Sequence, residues 1–173
     1  NKNLFSNNFG SLEFQSNYKI RKYDTNKFTN FLVNDFDWNY QILKRNSFSD
    51  NTILANFKNI NYEAKNVDIF KENSTHELYG ALGYLTKLEL RKNDNGSLHR
   101  LNPKILLRYA PGNMRKEKDG SRLTPQKAFK MNKLDNINNF ETGLNTTIGL
   151  DYDFSGENKN FDFSIAQIIN EKE

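Results

Sequence analysis

The chain has 173 residues, of which 36% are hydrophobic and 13% aromatic, and its formal net charge is +4. Its 25 basic and 21 acidic residues are interspersed, so the sequence has no basic block of the kind that binds nucleic acid. There is no cysteine, which excludes disulfides and thiolate metal sites. No apolar run approaches the roughly 18 residues that a membrane helix requires.

Aromatic residues are frequent for so polar a chain, with fourteen Phe and eight Tyr. Disordered chains are normally poor in aromatics, so this combination indicates a folded sheet with one apolar face and one wet face. The chain opens on Asn1-Lys2-Asn3 and stops at Glu173, shortly after an apolar segment. We therefore expect an internal fragment of a longer protein.

Seven segments alternate large apolar side chains with polar ones, which is the period-two pattern of a β-strand. The clearest lies in LNPKILLRYAPGNMR (101–115), where Ile105 and Leu107 share one face and Lys104 the other. Proline and glycine at 111 and 112 then end that strand. The predicted strands are Phe9–Ile20, Phe28–Ile42, Thr52–Ala64, His76–Leu90, Leu98–Ala110, Asn139–Phe154 and Asn160–Ile169.

The third predicted strand breaks the alternation. Ile60 and Tyr62 fall on even positions, whereas Ile53 and Phe57 fall on odd ones. This pattern indicates either a β-bulge or a buried inner face.

The predicted strands are longer than the 5–6 residues typical of soluble sheets. Transmembrane barrel strands need roughly 9–11 residues to cross a hydrocarbon layer about 30 Å thick. The connections at 44–51, 92–97 and 155–159 are short, whereas 65–75 and 111–138 are long. Short turns on one rim and long loops on the other are typical of outer-membrane barrels, with the short turns on the periplasmic side.

We therefore predict an all-β, antiparallel up-and-down meander of about seven long strands, forming part of a transmembrane β-barrel. Residues 1–173 would be a partial barrel domain without a complete domain boundary. The 111–138 segment would be extracellular or fold back into the lumen. Aromatics near strand ends would form interfacial girdles, namely Tyr18, Phe28, Tyr40, Tyr109, Phe140 and Phe154. A soluble β-sheet protein stays open as an alternative.

Chemistry-bearing patterns are sparse, so we predict neither enzymatic activity nor a cofactor. His76 and His99 have no metal-ligand partner at a suitable spacing. The pairs Asp35/Asp37 and Asp151/Asp153 each share one strand face, where solvated carboxylates are the ordinary interpretation. A basic concentration around the long loop indicates either contact with anionic groups such as phosphates or simply an exposed charged loop; it comprises Lys104, Arg108, Arg115, Lys116, Lys118 and Arg122.

Three segments in order resemble the LptD family, the lipopolysaccharide-assembly outer-membrane proteins also called organic solvent tolerance proteins. The first is LNPKILLRYAPGNMR, followed by Arg122-Leu123-Thr124 and FKMNKL (129–134). The others are FETGLNTTIGLDYDF (140–154) and FDFSIAQIINEKE (161–173). Similarity is best from about Leu98 onward, and the order and spacing of the segments carry it rather than any single motif.

The resemblance implies a barrel of roughly two dozen strands, located in the outer membrane of a Gram-negative bacterium, that moves lipopolysaccharide to the outer leaflet. It implies a plug lipoprotein similar to LptE in the lumen and periplasmic Lpt bridge proteins as partners. The matched positions would shape a strand end and the loop over or within the lumen; they are Pro103, Arg108, Tyr109, Pro111, Gly112, Asn113, Met114 and Arg115. Another outer-membrane barrel, such as a porin or receptor, or a soluble β-sandwich adhesin are the alternatives.

Overall fold

The structure is a computed structural model that describes residues 2–7, 9–42, 48–94, 96–116 and 122–171. Within these ranges it contains nine strand segments and one helical turn. In chain order they are β1 (Lys2–Asn7), β2 (Gly10–Lys22), β3 (Phe28–Ile42), β4 (Ser49–Lys65), β5 (Thr75–Leu88), β6 (Leu90–Asp94), β7 (Ser97–Ala110), α1 (Pro125–Ala128), β8 (Gly143–Ser155) and β9 (Asn160–Asn170).

All strands form one antiparallel sheet in the order β1-β2-β3-β4-β5-β7-β8-β9, and β6 also pairs with β7. The predicted all-β meander is confirmed. β6 continues β5 past Glu89 in the same register, since Lys87 pairs with Lys104 and Leu90 with Leu101. Among the described residues β1 and β9 do not pair with each other, so the sheet is open.

The connections differ between the two rims of the sheet. Residues 23–27, 66–74 and 111–142 join strands at one rim, and residues 8–9, 43–48, 95–96 and 156–159 join them at the other. The predicted asymmetry between long and short connections is therefore present. The Asn95-Gly96 dipeptide in the sequence predicts a tight hairpin turn. Asp94 pairs with Ser97 accordingly, and Gly96 has a positive φ of 85°; Asn95 itself lies outside the described residues. No helix in the described ranges is long and apolar enough to cross a membrane.

Register divides the side chains between two faces. The apolar face carries Phe14, Phe36 and Phe57, which lie directly opposite one another on β2, β3 and β4. Their neighbouring ring centroids are 4.7 and 6.1 Å apart. The same face continues across the sheet with Leu82, Leu107, Ile148 and Ile165. The polar face carries the intervening residues, including Asp35, Lys58, Lys104, Arg108 and Asp151.

Three details differ from the sequence-based expectation. β4 pairs with β3 and β5 in unbroken register, so there is no bulge, and Ile60 and Tyr62 are buried on the polar face beside Phe31. β1 was not predicted, because its two large apolar residues, Leu4 and Phe5, are adjacent rather than alternating; its pairing with β2 also shifts register between Asn3 and Phe5. β8 begins at Gly143 rather than Asn139, since Gly143 has a φ of +101° that ends the alternation there.

Candidate functional site

The long loop folds back onto the polar face of the sheet. Its short helix α1 begins with Pro125 and is capped by Thr124, whose Oγ1 accepts a hydrogen bond from the Lys127 amide. Ala128, at the end of α1, is buried, and its carbonyl accepts a 3.1 Å hydrogen bond from the Thr147 hydroxyl of β8. The loop thereby becomes a second layer over β5, β7 and β8.

Arg108 is the main polar anchor of this layer and is fully buried. It projects from β7, and its guanidinium donates hydrogen bonds to the backbone carbonyls of Met131 and Glu141. The guanidinium carbon also lies 5.5 Å from the ring centroid of Phe140, which is within cation–π range. A strand residue therefore holds two separate points of the loop, and its five donors suit that task.

Phe140 is the apolar counterpart of Arg108. Its side chain is fully buried and stacks on Tyr79 of β5, with the ring centroids 5.6 Å apart. The ammonium group of Lys58 lies 5.7 Å from the same ring and forms a 2.9 Å salt bridge with Asp35. Sequence alternation placed Phe140 in a strand-end girdle. That expectation is wrong, because Phe140 precedes the turn at Gly143 and packs beneath the loop.

Lys133 anchors the loop from the opposite direction, reaching from the loop toward β8. Its ammonium group lies 3.1 Å from a carboxylate oxygen of Glu141 and 3.0 Å from Oδ1 of Asn145. Burial lowers the pKa of Lys133, while the Glu141 carboxylate acts in the opposite direction. A buried pair of this kind is costly to break, because removing one partner leaves the other charge uncompensated.

Arg115 fixes the start of the loop. Its guanidinium binds the Glu77 carboxylate of β5 and the backbone carbonyl of Asn138. Its central carbon also lies 5.2 Å from the ring centroids of both Tyr62 and Phe70. The outgoing and returning arms of the loop are thus tied together at the edge of the sheet.

Two glycines on the polar face make room for the loop. A Cβ built at Gly83 would lie 2.7 Å from the Met131 sulfur. One at Gly149 would lie 2.8 Å from the Phe129 ring and 2.7 Å from the Ile165 carbonyl oxygen. Glycine inside a strand indicates such close approaches.

The eight residues predicted from the resemblance do not form one cluster. Pro103 and exposed Tyr109 lie on the apolar face, and Arg108 and Arg115 engage the loop on the polar side. The remaining four lead out of β7: Pro111, Gly112 with a φ of +102°, Asn113, and Met114, whose amide donates to the Thr142 hydroxyl. Pro103 lies in the middle of β7, and the other seven lie at its end or in the loop that follows. The role of these positions in shaping a loop over or within a lumen stays a prediction.

The basic residues around the long loop do not form one group in the structure either. Arg108 and Arg115 bind groups of this chain and are not exposed, and Lys104 pairs with Asp151. Arg122 is exposed, and Lys118 lies outside the described residues. Because Arg108 and Arg115 are both engaged by groups of this chain, they fit neither an anion-binding nor an exposed-loop interpretation. Sequence reasoning missed Lys133 and Asn145, because nothing in the local pattern distinguishes a buried lysine from an exposed one.

The other titratable pairs form structural networks. Asp35 and Asp37 both accept from the Asn56 amide nitrogen, at 2.7 and 2.6 Å. His99 lies 2.9 Å from the Tyr152 hydroxyl. In the part of the chain that the structure describes, no three His, Cys, Asp or Glu residues form a group able to hold a metal ion.

In the comparison with known proteins, no protein-family model and no curated protein matches the chain. The resemblance to the LptD family therefore stays a prediction. The geometry itself defines a sheet whose polar face is partly covered by its own loop and whose apolar face carries large exposed side chains.

Proposed function

We propose that this chain is part of an outer-membrane β-barrel whose apolar face meets lipid. The observation that carries the proposal is that the apolar face is exposed from β2 to β9, with Leu82 at 64%, Leu107 at 50% and Ile165 at 55% exposure. Monomeric soluble proteins rarely expose contiguous apolar patches of such extent. In a barrel, side chains alternate between lipid and lumen along each strand. The exposed apolar side chains would then contact lipid, which would stabilise the sheet in a bilayer.

Strand length and polar-face chemistry support the same proposal. β2, β3, β4, β5, β7, β8 and β9 have 11 to 17 residues each, enough for the roughly 9–11 that cross a bilayer. The polar face holds ion pairs such as Lys58–Asp35 and Lys104–Asp151, which suit a wet interior. The long loop would then fold into the lumen from the extracellular rim.

Within this class, we assign the barrel to the lipopolysaccharide-assembly translocon of the LptD type, a transport function without catalysis. The support is the resemblance of three ordered segments in the second half of the chain. On this assignment a lipoprotein similar to LptE occupies the lumen, and periplasmic Lpt bridge proteins deliver lipopolysaccharide. A porin or receptor is the second candidate, and the in-folded loop favours it, because such a loop would narrow a pore.

Membrane insertion is tested by placing one charge on each face of β7. Leu107→Arg puts the charge on the apolar face, whereas Asn102→Arg puts the same charge in the same strand on the polar face. In lipid we expect the first to destabilise the barrel by up to about 4 kcal/mol, because arginine is costly on the lipid-facing side of a barrel strand, and the second to have little effect. Urea unfolding of both variants in vesicles measures the difference. Equal effects, or a wild-type protein that stays folded and monomeric without detergent, would contradict membrane insertion.

The transport assignment is tested by depleting the protein in its native cell. We expect lipopolysaccharide to disappear from the outer leaflet while a lipoprotein co-purifies with the wild-type barrel. Normal surface lipopolysaccharide, combined with loss of small-solute uptake, would instead establish the porin alternative.

A further inference from the structure

The buried contact between the long loop and β8 brings three side chains together that can react with one another. The amine nitrogen of Lys133 lies 3.0 Å from Oδ1 of Asn145, and 3.1 and 3.2 Å from the two carboxylate oxygens of Glu141. Lys133 and Asn145 are buried, and the Glu141 side chain is only 19% exposed. A buried amine therefore lies beside an amide carbonyl and a carboxylate.

The surrounding hydrogen bonds hold these three side chains in position. Asn132, the residue before Lys133, accepts a 3.2 Å hydrogen bond from the Glu141 amide through its side-chain oxygen. Asn145 lies within β8 directly opposite Arg108 of β7, and Arg108 also donates to the Glu141 carbonyl. Groups that are held together in this way avoid the entropy cost of bringing separate reactants into contact.

The surroundings also favour the reactive form of the amine. Burial lowers the pKa of Lys133 and the positive charge of Arg108 acts in the same direction, whereas the Glu141 carboxylate opposes them. A desolvated lysine that has lost its proton is a nucleophile, and an adjacent carboxylate can take that proton. Nη1 of Arg108 is buried without a hydrogen-bond partner among the described residues, so a donor remains for negative charge that develops on the attacked amide.

We propose that Lys133 and Asn145 join in an intramolecular isopeptide bond after the chain folds. Glu141 accepts one proton from Nζ, and the neutral amine attacks Cγ of Asn145. The Nζ–Cγ bond forms and the Cγ–Nδ2 bond breaks. Glu141 passes its proton to Nδ2, which leaves as ammonia, and then takes a second proton from Nζ; the third stays on the new amide nitrogen. The ammonia carries the second proton away as ammonium, which restores the carboxylate, and no other reactant is consumed.

The bond closes a covalent ring over residues 133–145 and fixes the long loop on the polar face. Until it forms, Lys133 keeps its amine, so properties of the free amine belong to freshly folded protein. The inference does not rest on the proposed function, because the reaction needs only contacts within this chain. Bond formation without membrane insertion would contradict the proposed function alone, and insertion without the bond would overturn this inference alone.

Mass spectrometry of the full chain tests the proposal. Chain purified unfolded in urea should have the mass of its sequence, and after folding into detergent it should lose one ammonia, about 17 Da. Trypsin does not cleave after an acylated lysine, so residues 131–159 should stay one peptide, lighter by the same amount. Chain kept in urea for the same time should keep its full mass. Complete cleavage after Lys133 in the folded protein, or ammonia loss confined to another peptide, would overturn the proposal.

Variants separate the reaction from the contacts that precede it. Glu141→Gln keeps the size of the side chain but cannot take a proton from Lys133, so we expect no ammonia loss although both joined residues are present. Lys133→Arg should also keep its full mass. The matched control is Lys130→Arg, which changes an exposed lysine of the same loop and should lose ammonia as the wild type does. Ammonia loss from residues 131–159 in Lys133→Arg, or at the wild-type rate in Glu141→Gln, would overturn the proposal.

Discussion

The two faces of this sheet reverse the arrangement of a water-soluble sheet. The polar face is partly covered by the chain's own loop, and charged side chains are buried there, namely Arg108 and Lys58 from the sheet and Lys133 from the loop. The apolar face leaves Leu78 and Leu82 about two-thirds exposed. A sheet in water gains stability by covering its apolar side. The chain therefore makes most of its contacts between sheet and loop on the polar face, and it leaves the apolar face to be covered by something outside the chain.

The largest expected effect concerns the apolar anchor of the covered face. Phe140→Ala removes a fully buried ring between Tyr79 and Arg108, so we expect the loop layer to lose about 3–5 kcal/mol of stability. Hydrogen exchange of the amides in residues 122–142 would measure the loss. Phe161→Ala is the matched control, since Phe161 is 55% exposed on the apolar face. If both variants reduced the hydrogen-exchange protection of the loop equally, Phe140 would not be its specific anchor, and the two faces would not differ as described.

A smaller effect comes from adding one methyl group to each face. A Cβ at Gly149 would meet the Phe129 ring and the Ile165 carbonyl oxygen below 3.0 Å, so Gly149→Ala should cost about 1–3 kcal/mol. A Cβ at Gly80, on the apolar face, would have only the Asn56 carbonyl oxygen near it, at 4.0 Å. Gly80→Ala should therefore stabilise the strand by about 0.5–1 kcal/mol. Denaturant unfolding of both variants checks the pair, and a stabilising Gly149→Ala would show that the loop does not cover β8.

The same contrast explains what sequence could predict. Local alternation shows which segments are strands and which of their side chains lie on the apolar face, so the predicted strand Phe28–Ile42 coincides with β3. The return of the loop depends instead on contacts between residues far apart in the chain, such as Arg108 with Glu141. Local periodicity carries no information about such pairs. Local periodicity also failed at Phe140. This apolar residue fits the even-numbered alternation of the following strand, but that strand begins only at Gly143.

The smallest expected effect is a pH dependence of the covered face. Burial lowers the pKa of Lys133 below its ordinary value of 10.5. Between that lowered pKa and 10.5 the unfolded chain holds a proton that the folded chain has released, so stability rises with pH through this window. Lys133→Met should abolish this contribution, so the stability of the wild type relative to the variant should increase toward pH 10.5.

Urea unfolding of wild type and Lys133→Met at a series of pH values from neutral upward measures that difference. Lysines and tyrosines elsewhere titrate in both proteins, so their contributions cancel in the comparison. Lys130→Met removes an exposed lysine from the same loop and controls for the loss of one positive charge. A wild-type advantage that stays flat or falls as pH rises would mean that Lys133 is not buried in the folded protein, and that the loop does not lie on the polar face in solution.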